Sequence, residues 1–128
     1  MKVLRQERGW GGHFICANSC RFRRNTLLTC GEVSIVVSTV GCMETSFKKG
    51  SEFYRGPFEE IGLGRYYETM AFHADPEDTR YHDADVRRQV DFNSPWAIGK
   101  IDADDEANRM HEAVVAEIAN KLKKGEEL

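Results

Sequence analysis

The last quarter of the chain constrains its fold most. Ala107, Met110, Val114, Ile118 and Leu122 recur at spacings of three or four residues, which places them on one stripe of an α-helix. Asp102 is positioned to act as N-cap, and Asp104, Asp105 and Glu106 occupy the first turn, where the helix dipole favours negative charge. Lys121, Lys123 and Lys124 crowd the last turn and Gly125 ends it. Val115 and Ala119 widen the stripe beyond a narrow seam, enough for one flank to meet the body of the protein and the other a second subunit.

The residues ahead of this helix read as strands. A short apolar run at residues 13–17 follows the glycine-rich loop Gly9-Trp10-Gly11-Gly12. Two β-prone runs, 26–29 and 33–40, flank Cys30-Gly31 as in a hairpin, and Ile35, Val37 and Thr39 alternate against Val36 and Val40 as in an interior strand. A weak strand at 58–61 sits among the loops of residues 43–64, and residues 65–73 resume the alternation. In 86–92, Val86, Val90 and Phe92 point inward with Arg88 among them, while Arg87, Gln89 and Asp91 face water. Strands followed by a helix predict an α+β fold, an antiparallel β-sheet body with a C-terminal amphipathic α-helix, in one domain spanning residues 1–128.

With 128 residues, 41% apolar and 30% charged, the chain can bury a core without disulfides. A net charge of -3 disfavours binding to long nucleic acid, which needs a broad basic surface. The strongest apolar stretch, 33–40, is interrupted by Ser34 and Ser38 and is far short of the ~20 residues that span a bilayer. The N-terminal residues lack an apolar signal core, so export is not expected. The four cysteines are spaced C-x3-C-x9-C-x11-C, without the two close pairs of a zinc site, and read as buried free thiols.

Two groups of residues could carry chemistry. His73, Asp75, Asp78, His82, Asp83 and Asp85 could hold a divalent metal or supply an acid and a base, but no two fall at a recognised spacing, and a solvated acidic loop is the simpler reading. Arg21-Phe22-Arg23-Arg24-Asn25 is the densest basic cluster, on a chain with eleven arginines against seven lysines. Guanidinium forks grip phosphate oxygens, aromatic faces stack on bases, and strand alternation puts Phe22 and Arg24 on one face. The competing reading is a charged edge strand. Trp96, beside turn residues, either closes the core or roofs a pocket. Serine-nucleophile elbows, phosphate-binding glycine loops and metalloprotease motifs are absent from the sequence.

Three stretches, Glu7-Arg8-Gly9-Trp10-Gly11-Gly12-His13-Phe14-Ile15-Cys16, Cys20-Arg21-Phe22-Arg23-Arg24-Asn25-Thr26-Leu27-Leu28 and Phe92-Asn93-Ser94-Pro95-Trp96, resemble a family of small phage proteins, the first type of Thoeris anti-defence protein. The resemblance implies an α+β subunit that assembles into dimers or hexamers in the host-cell cytoplasm. It further implies sequestration of cyclic ADP-ribose isomers, in some members also of cyclic di- and trinucleotides, without catalysis, metal or cofactor. It makes Arg24 a phosphate contact. The candidate ligand-binding set is Arg24 with Phe22, Asn25 and Thr26 in the same segment, Asn93 and Trp96 in the last, and Arg109 and Met110 on the helix. Two alternatives stand beside this expectation: a phage protein that blocks a host defence protein by direct binding, and a metal-dependent phosphodiesterase built on the His/Asp cluster.

Overall fold

A computed structural model describes residues 2–9, 11–14 and 16–128. Among these residues the expected α+β architecture is present: seven strands form one antiparallel sheet, and a single α-helix follows them. The strands are β1 (Leu4–Arg8), β2 (Cys20–Cys30), β3 (Val33–Glu44), β4 (Phe58–Glu59), β5 (Tyr67–Ala74), β6 (Ala84–Val90) and β7 (Ala97–Ile98), and the helix is α1 (Asp104–Lys123). The main path runs β1-β2-β3-β5-β6, with β4 added to β3 and β7 to β5. No helix among the described residues is long and apolar enough to cross a membrane.

β3 is central because its residues are apolar or small on both faces, and it is buried from Ile35 to Cys42. Its hairpin with β2 turns one residue later than the sequence predicts. Cys30 pairs with Val33, so Gly31-Glu32 is the turn, and Gly31 supplies the positive φ of 60° that a two-residue connection needs.

Leu28, Ile35, Val37 and Ala71 on one face of the sheet pack against Val114, Val115, Ile118 and Leu122 of α1. Phe22, Tyr67, Ala107 and Met110 extend this core toward the helix start. Val115 is buried and Ala119 packs against the same core, so the broad apolar stripe is consumed within the subunit, and no wide apolar flank is left on α1. The opposite face is covered by Phe14 and Ala17 of the β1–β2 connection, packed with Val40 and Ile61. Gly12 is obligatory there, because a Cβ would stand 2.5 Å from Val40 Cγ1. The strand expected at 13–17 is therefore a covering loop ending in a short 3-10 turn, Ala17–Ser19; Ile15, within that run, lies outside the described residues.

Asp102 is not the N-cap. Its φ is +55°, the flanking residue is Ala103, and no side chain caps the first turn. Tyr67 does the equivalent work. Its hydroxyl accepts the Ala103 N–H at 3.0 Å and donates to Asp104 Oδ1 at 2.7 Å. The helix ends as expected at Gly125: Gly125 N–H bonds the Leu122 carbonyl and Glu126 N–H the Lys121 carbonyl.

β6 departs from the predicted alternation. Phe72 pairs with Gln89 and Ala74 with Ala84, so Asp85, Val86, Arg87 and Arg88 bulge out opposite His73 alone. Asp85 Oδ1 accepts from the Arg87 amide at 3.1 Å and from its Nε at 3.2 Å, which closes the bulge. Val86, expected inward, is 60% exposed. Phe92 lies beyond the strand but still packs against the helix-side core.

Candidate functional site

Alternation along β2 puts Phe22 and Arg24 on one face, as predicted; that face, which Thr26 shares, is the helix side, and Arg24 is already engaged there. Its Nη2 lies 2.8 Å from Glu7 Oε1 of β1 and 2.9 Å from Glu112 Oε2 of α1. Arg5 bonds the same two carboxylates, at 2.8 Å to Glu7 and 2.6 Å to Glu112. Two arginines and two glutamates thus close a neutral ring over the edge of the helix–sheet interface. The hydrogen bond from Arg5, with that from Arg24, holds the Glu112 carboxyl down to about 2 against partial burial. Burial works to raise Glu7, but Arg5, Thr26 and Arg24 outweigh it and leave this carboxyl below its ordinary range.

Behind the ring runs a buried chain of hydroxyls and one imidazole. Thr26 donates to Glu7 Oε2 at 2.8 Å and lies 2.7 Å from His111 Nε2. His111 Nδ1 is 2.7 Å from Thr39 Oγ1, which is 2.6 Å from Thr69 Oγ1. Burial, reinforced by the nearby Arg24 charge, pushes His111 down to about 4, so the imidazole is neutral at pH 7. Since Thr26 gives its proton to Glu7, His111 Nε2–H donates to Thr26 and Nδ1 accepts from Thr39. Sequence reasoning missed His111, although it stands four residues after Ala107 and four before Val115, within the apolar stripe.

Glu7 also lines a cleft of about 560 Å³ between the end of β1 and the β5–β6 connection, with Gln6, Arg8, Gly9, Tyr81 and Asp83 as its other walls. The Tyr81 ring is 54% exposed, and Arg80 lies over it at 4.9 Å. Burial and the neighbouring Asp78 charge raise the Asp83 carboxyl above its ordinary value, against the opposing pull of Arg8. A half-exposed aromatic plate, a guanidinium and a carboxyl therefore share one opening. Of these residues, Glu7, Arg8 and Gly9 lie in the first family-like stretch and Asp83 was read only as part of the His/Asp cluster, while Gln6, Arg80 and Tyr81 carried no signal in the sequence.

Of the other predicted residues, Phe22 and Met110 share one core cluster and Thr26 bonds the same Glu7 as Arg24, while Asn93, Trp96 and Arg109 are dispersed. Phe22, Asn25, Thr26 and Met110 are buried. Asn93 is exposed and its amide N–H bonds Glu117 Oε2 at 2.7 Å, with Ser94 N–H and Oγ on Oε1 at 2.8 and 2.6 Å. Despite the opposing effect of burial, these bonds and Lys121 bring Glu117 down to about 2. Trp96, half-exposed, carries Arg65 over its ring at 5.1 Å. Arg109 lines a separate cleft of about 480 Å³ at the helix start with Lys100, Ile101 and three aspartates.

The His/Asp cluster is taken up by turn formation. Asp75 Oδ1 accepts the Glu77 amide at 2.9 Å, Asp78 Oδ1 the Tyr81 amide at 2.7 Å, and Asp85 closes the bulge. Among the described residues, no three His, Cys, Asp or Glu side chains converge to hold a metal ion. All four cysteines are free thiols; Cys16 is exposed where burial was expected, and burial pushes Cys20 up to about 11.

On the other face of the sheet, His13 Nδ1 lies 2.9 Å from Ser38 Oγ and Nε2 lies 3.0 Å from Glu68 Oε1, while Arg65 Nε bonds Glu68 Oε2 at 3.1 Å. Burial tends to raise Glu68, but His13 and Arg65 bring it below its ordinary value. A serine, a histidine and a glutamate in hydrogen-bonded sequence have the composition of a hydrolytic triad, yet a nucleophile must reach substrate and Ser38 is completely buried. The set works as a clamp that holds the loop at His13 onto the sheet. No protein-family model matches the chain, and comparison with curated proteins and with solved structures gives no match.

Proposed function

We propose that this protein captures small cyclic nucleotides and holds them without cleavage, as its resemblance to the first type of Thoeris anti-defence protein implies. The ligands are cyclic ADP-ribose isomers and, as a second class, cyclic di- and trinucleotides. The setting is the host-cell cytoplasm during phage infection, and the working form is a homo-oligomer, a dimer or hexamer. The observation that carries this reading is the cleft shared by Arg8, Tyr81 and Glu7, because Glu7 is the carboxylate that holds Arg24. A base stacks on the free face of Tyr81, opposite Arg80, and a phosphate takes the place of Glu7 on the Arg24 fork. The Asp83 carboxyl, on the wall of the cleft, is available to hydrogen-bond a base edge. A cavity of about 560 Å³ suits a ligand of this size. At ~0.3 kcal/mol per heavy atom, a few dozen atoms supply ~10 kcal/mol, enough for affinity approaching the nanomolar range.

Calorimetric titration with both ligand classes, followed by heating the complex and identifying the released nucleotide, tests the proposal. Intact nucleotide is expected. Tyr81→Ala and Arg24→Ala should each weaken at least one class tenfold to a hundredfold, and Arg24→Lys should recover only part, because a point charge does not reproduce the guanidinium fork. A hydrolysed product would favour the phosphodiesterase instead. No binding of either class would leave direct inhibition of a host protein as the better reading.

A further inference from the structure

A third opening shares no residue with the two clefts already described. Between the end of β3 and Tyr66 the chain makes a long excursion, and a cleft of about 330 Å³ forms there from Thr45, Phe47, Phe53, Arg55, Phe58 and Tyr66, with Glu59 and Glu60 on its rim. Phe47 and Phe53 stand with ring centres 5.5 Å apart, and they are 41% and 58% exposed. Arg21, on β2, covers the Phe58 ring at 5.5 Å. Apolar rings paired in the open are costly unless something covers them, and local backbone geometry holds them in place: Phe47 N–H bonds Thr45 Oγ1 and Phe53 N–H bonds Ser51 Oγ, each at 3.2 Å.

Arg55 supplies the second half of the argument. Its Nη1 donates to the carbonyls of Glu52 at 2.7 Å and Tyr54 at 3.1 Å, which orients the guanidinium, while among the described residues its Nε and Nη2 make no such bond. Among the same residues, no carboxylate pairs with Arg55 or with Arg21. A fixed guanidinium beside exposed aromatic plates is complementary to a flat ring that carries an anionic group. The rim carboxylates limit how much negative charge is tolerated. Glu59 accepts the Ser46 amide and Glu60 the Gly64 amide, so both stay in place beside the opening and repel polyanions.

We propose that this cleft is a separate binding site for a small ligand combining one planar aromatic ring with one phosphate, of the mononucleotide class. Ring and phosphate act together: the ring lies against Phe47 and Phe53, and the phosphate meets the open edge of Arg55.

The test is titration of the full chain with AMP, adenosine and ribose 5-phosphate, followed by NMR or calorimetry. AMP is expected to bind at least tenfold more tightly than either fragment. Phe53→Ala and Arg55→Ala, both at exposed positions, should each weaken AMP at least tenfold without lowering the melting temperature, and Arg55→Lys should recover part of the loss. Tyr81→Ala should leave AMP binding unchanged, and Arg55→Ala should leave cyclic-nucleotide binding unchanged, so that this proposal and the preceding one fail separately. Absence of AMP binding at millimolar concentration, affinity unmoved by both the Phe53 and Arg55 variants, or loss of AMP binding on Tyr81→Ala would each overturn it.

Discussion

The two interior imidazoles lie on opposite faces of the same sheet and are held by different chemistry. His111, under the helix, has two threonine hydroxyls as partners and no carboxylate, whereas His13, on the loop-covered face, has one serine hydroxyl and the carboxylate of Glu68. Hydroxyls satisfy a neutral ring but do not compensate a charge, so His111 is a polar filler within an apolar interface. A carboxylate acceptor makes the hydrogen bond charge-assisted, and the loop at His13 needs it, because only Phe14 and Ala17 of its described residues add apolar packing on that face. The helix side is therefore held by burial and the loop side by a clamp.

The largest expected effect comes from breaking the helix side. Val114 is completely buried between α1 and the sheet, and Val114→Asp places a charge there with no partner. Against a typical stability of ~5–15 kcal/mol, a loss of ~4 kcal/mol or more is expected, seen as a collapsed urea midpoint or an unfolded circular-dichroism spectrum. A variant that melted like the parent would show that the loop side carries the stability instead.

Acid sharpens the contrast. His111 has its pKa lowered from 6.5 to about 4 in the folded protein, so between these values the unfolded chain binds the proton that the folded chain refuses. Stability then rises with pH across that window, and lowering the pH from 7 to 4 should remove roughly 3 kcal/mol, at ~1.4 kcal/mol for each tenfold difference in proton affinity between the two states. The loss from Glu112 and Glu117 follows at lower pH, as each falls from 4.5 toward about 2. Urea unfolding at pH 7, 5.5 and 4 measures this directly, and a flat profile would mean that His111 finds a charged partner on protonation.

The smallest effect separates two neighbouring aspartates. Asp104→Ala removes the acceptor of the buried Tyr67 hydroxyl and should cost ~1 kcal/mol, while Asp102→Ala removes no cap bond and should cost less. Thermal melts of the two variants in the opposite order would return Asp102 to the capping role.

Elements with strong apolar periodicity were legible in the sequence: the helix stripe from Ala107 to Leu122, the two-sided run in β3, and the alternation of β5. What escaped had its partners far away in the chain. β1 reads Leu-Arg-Gln-Glu-Arg, with no apolar alternation, because it is an exposed edge strand. The first part of β2 was readable as a strand, but one of its arginines belongs to an ion-pair ring completed 88 residues later by Glu112. The face shared by Phe22 and Arg24 was read correctly from alternation, but the occupancy of that arginine was not accessible to it. Tyr81 and Arg55 carried no sequence signal, since an exposed aromatic and a lone arginine in a loop acquire meaning only from what the fold sets beside them.

The bulge in β6 also decides how this sheet can grow. A continuous seam of amides and carbonyls is what an incoming strand would zip onto, and from Asp85 to Arg88 that seam is torn. At the opposite margin, β1 offers five residues in regular pairing with β2. A sheet with one serviceable margin can be extended once, and two copies joined there leave only damaged margins outside. Strand-to-strand addition through this sheet would end at a pair and could not run on into a fibre.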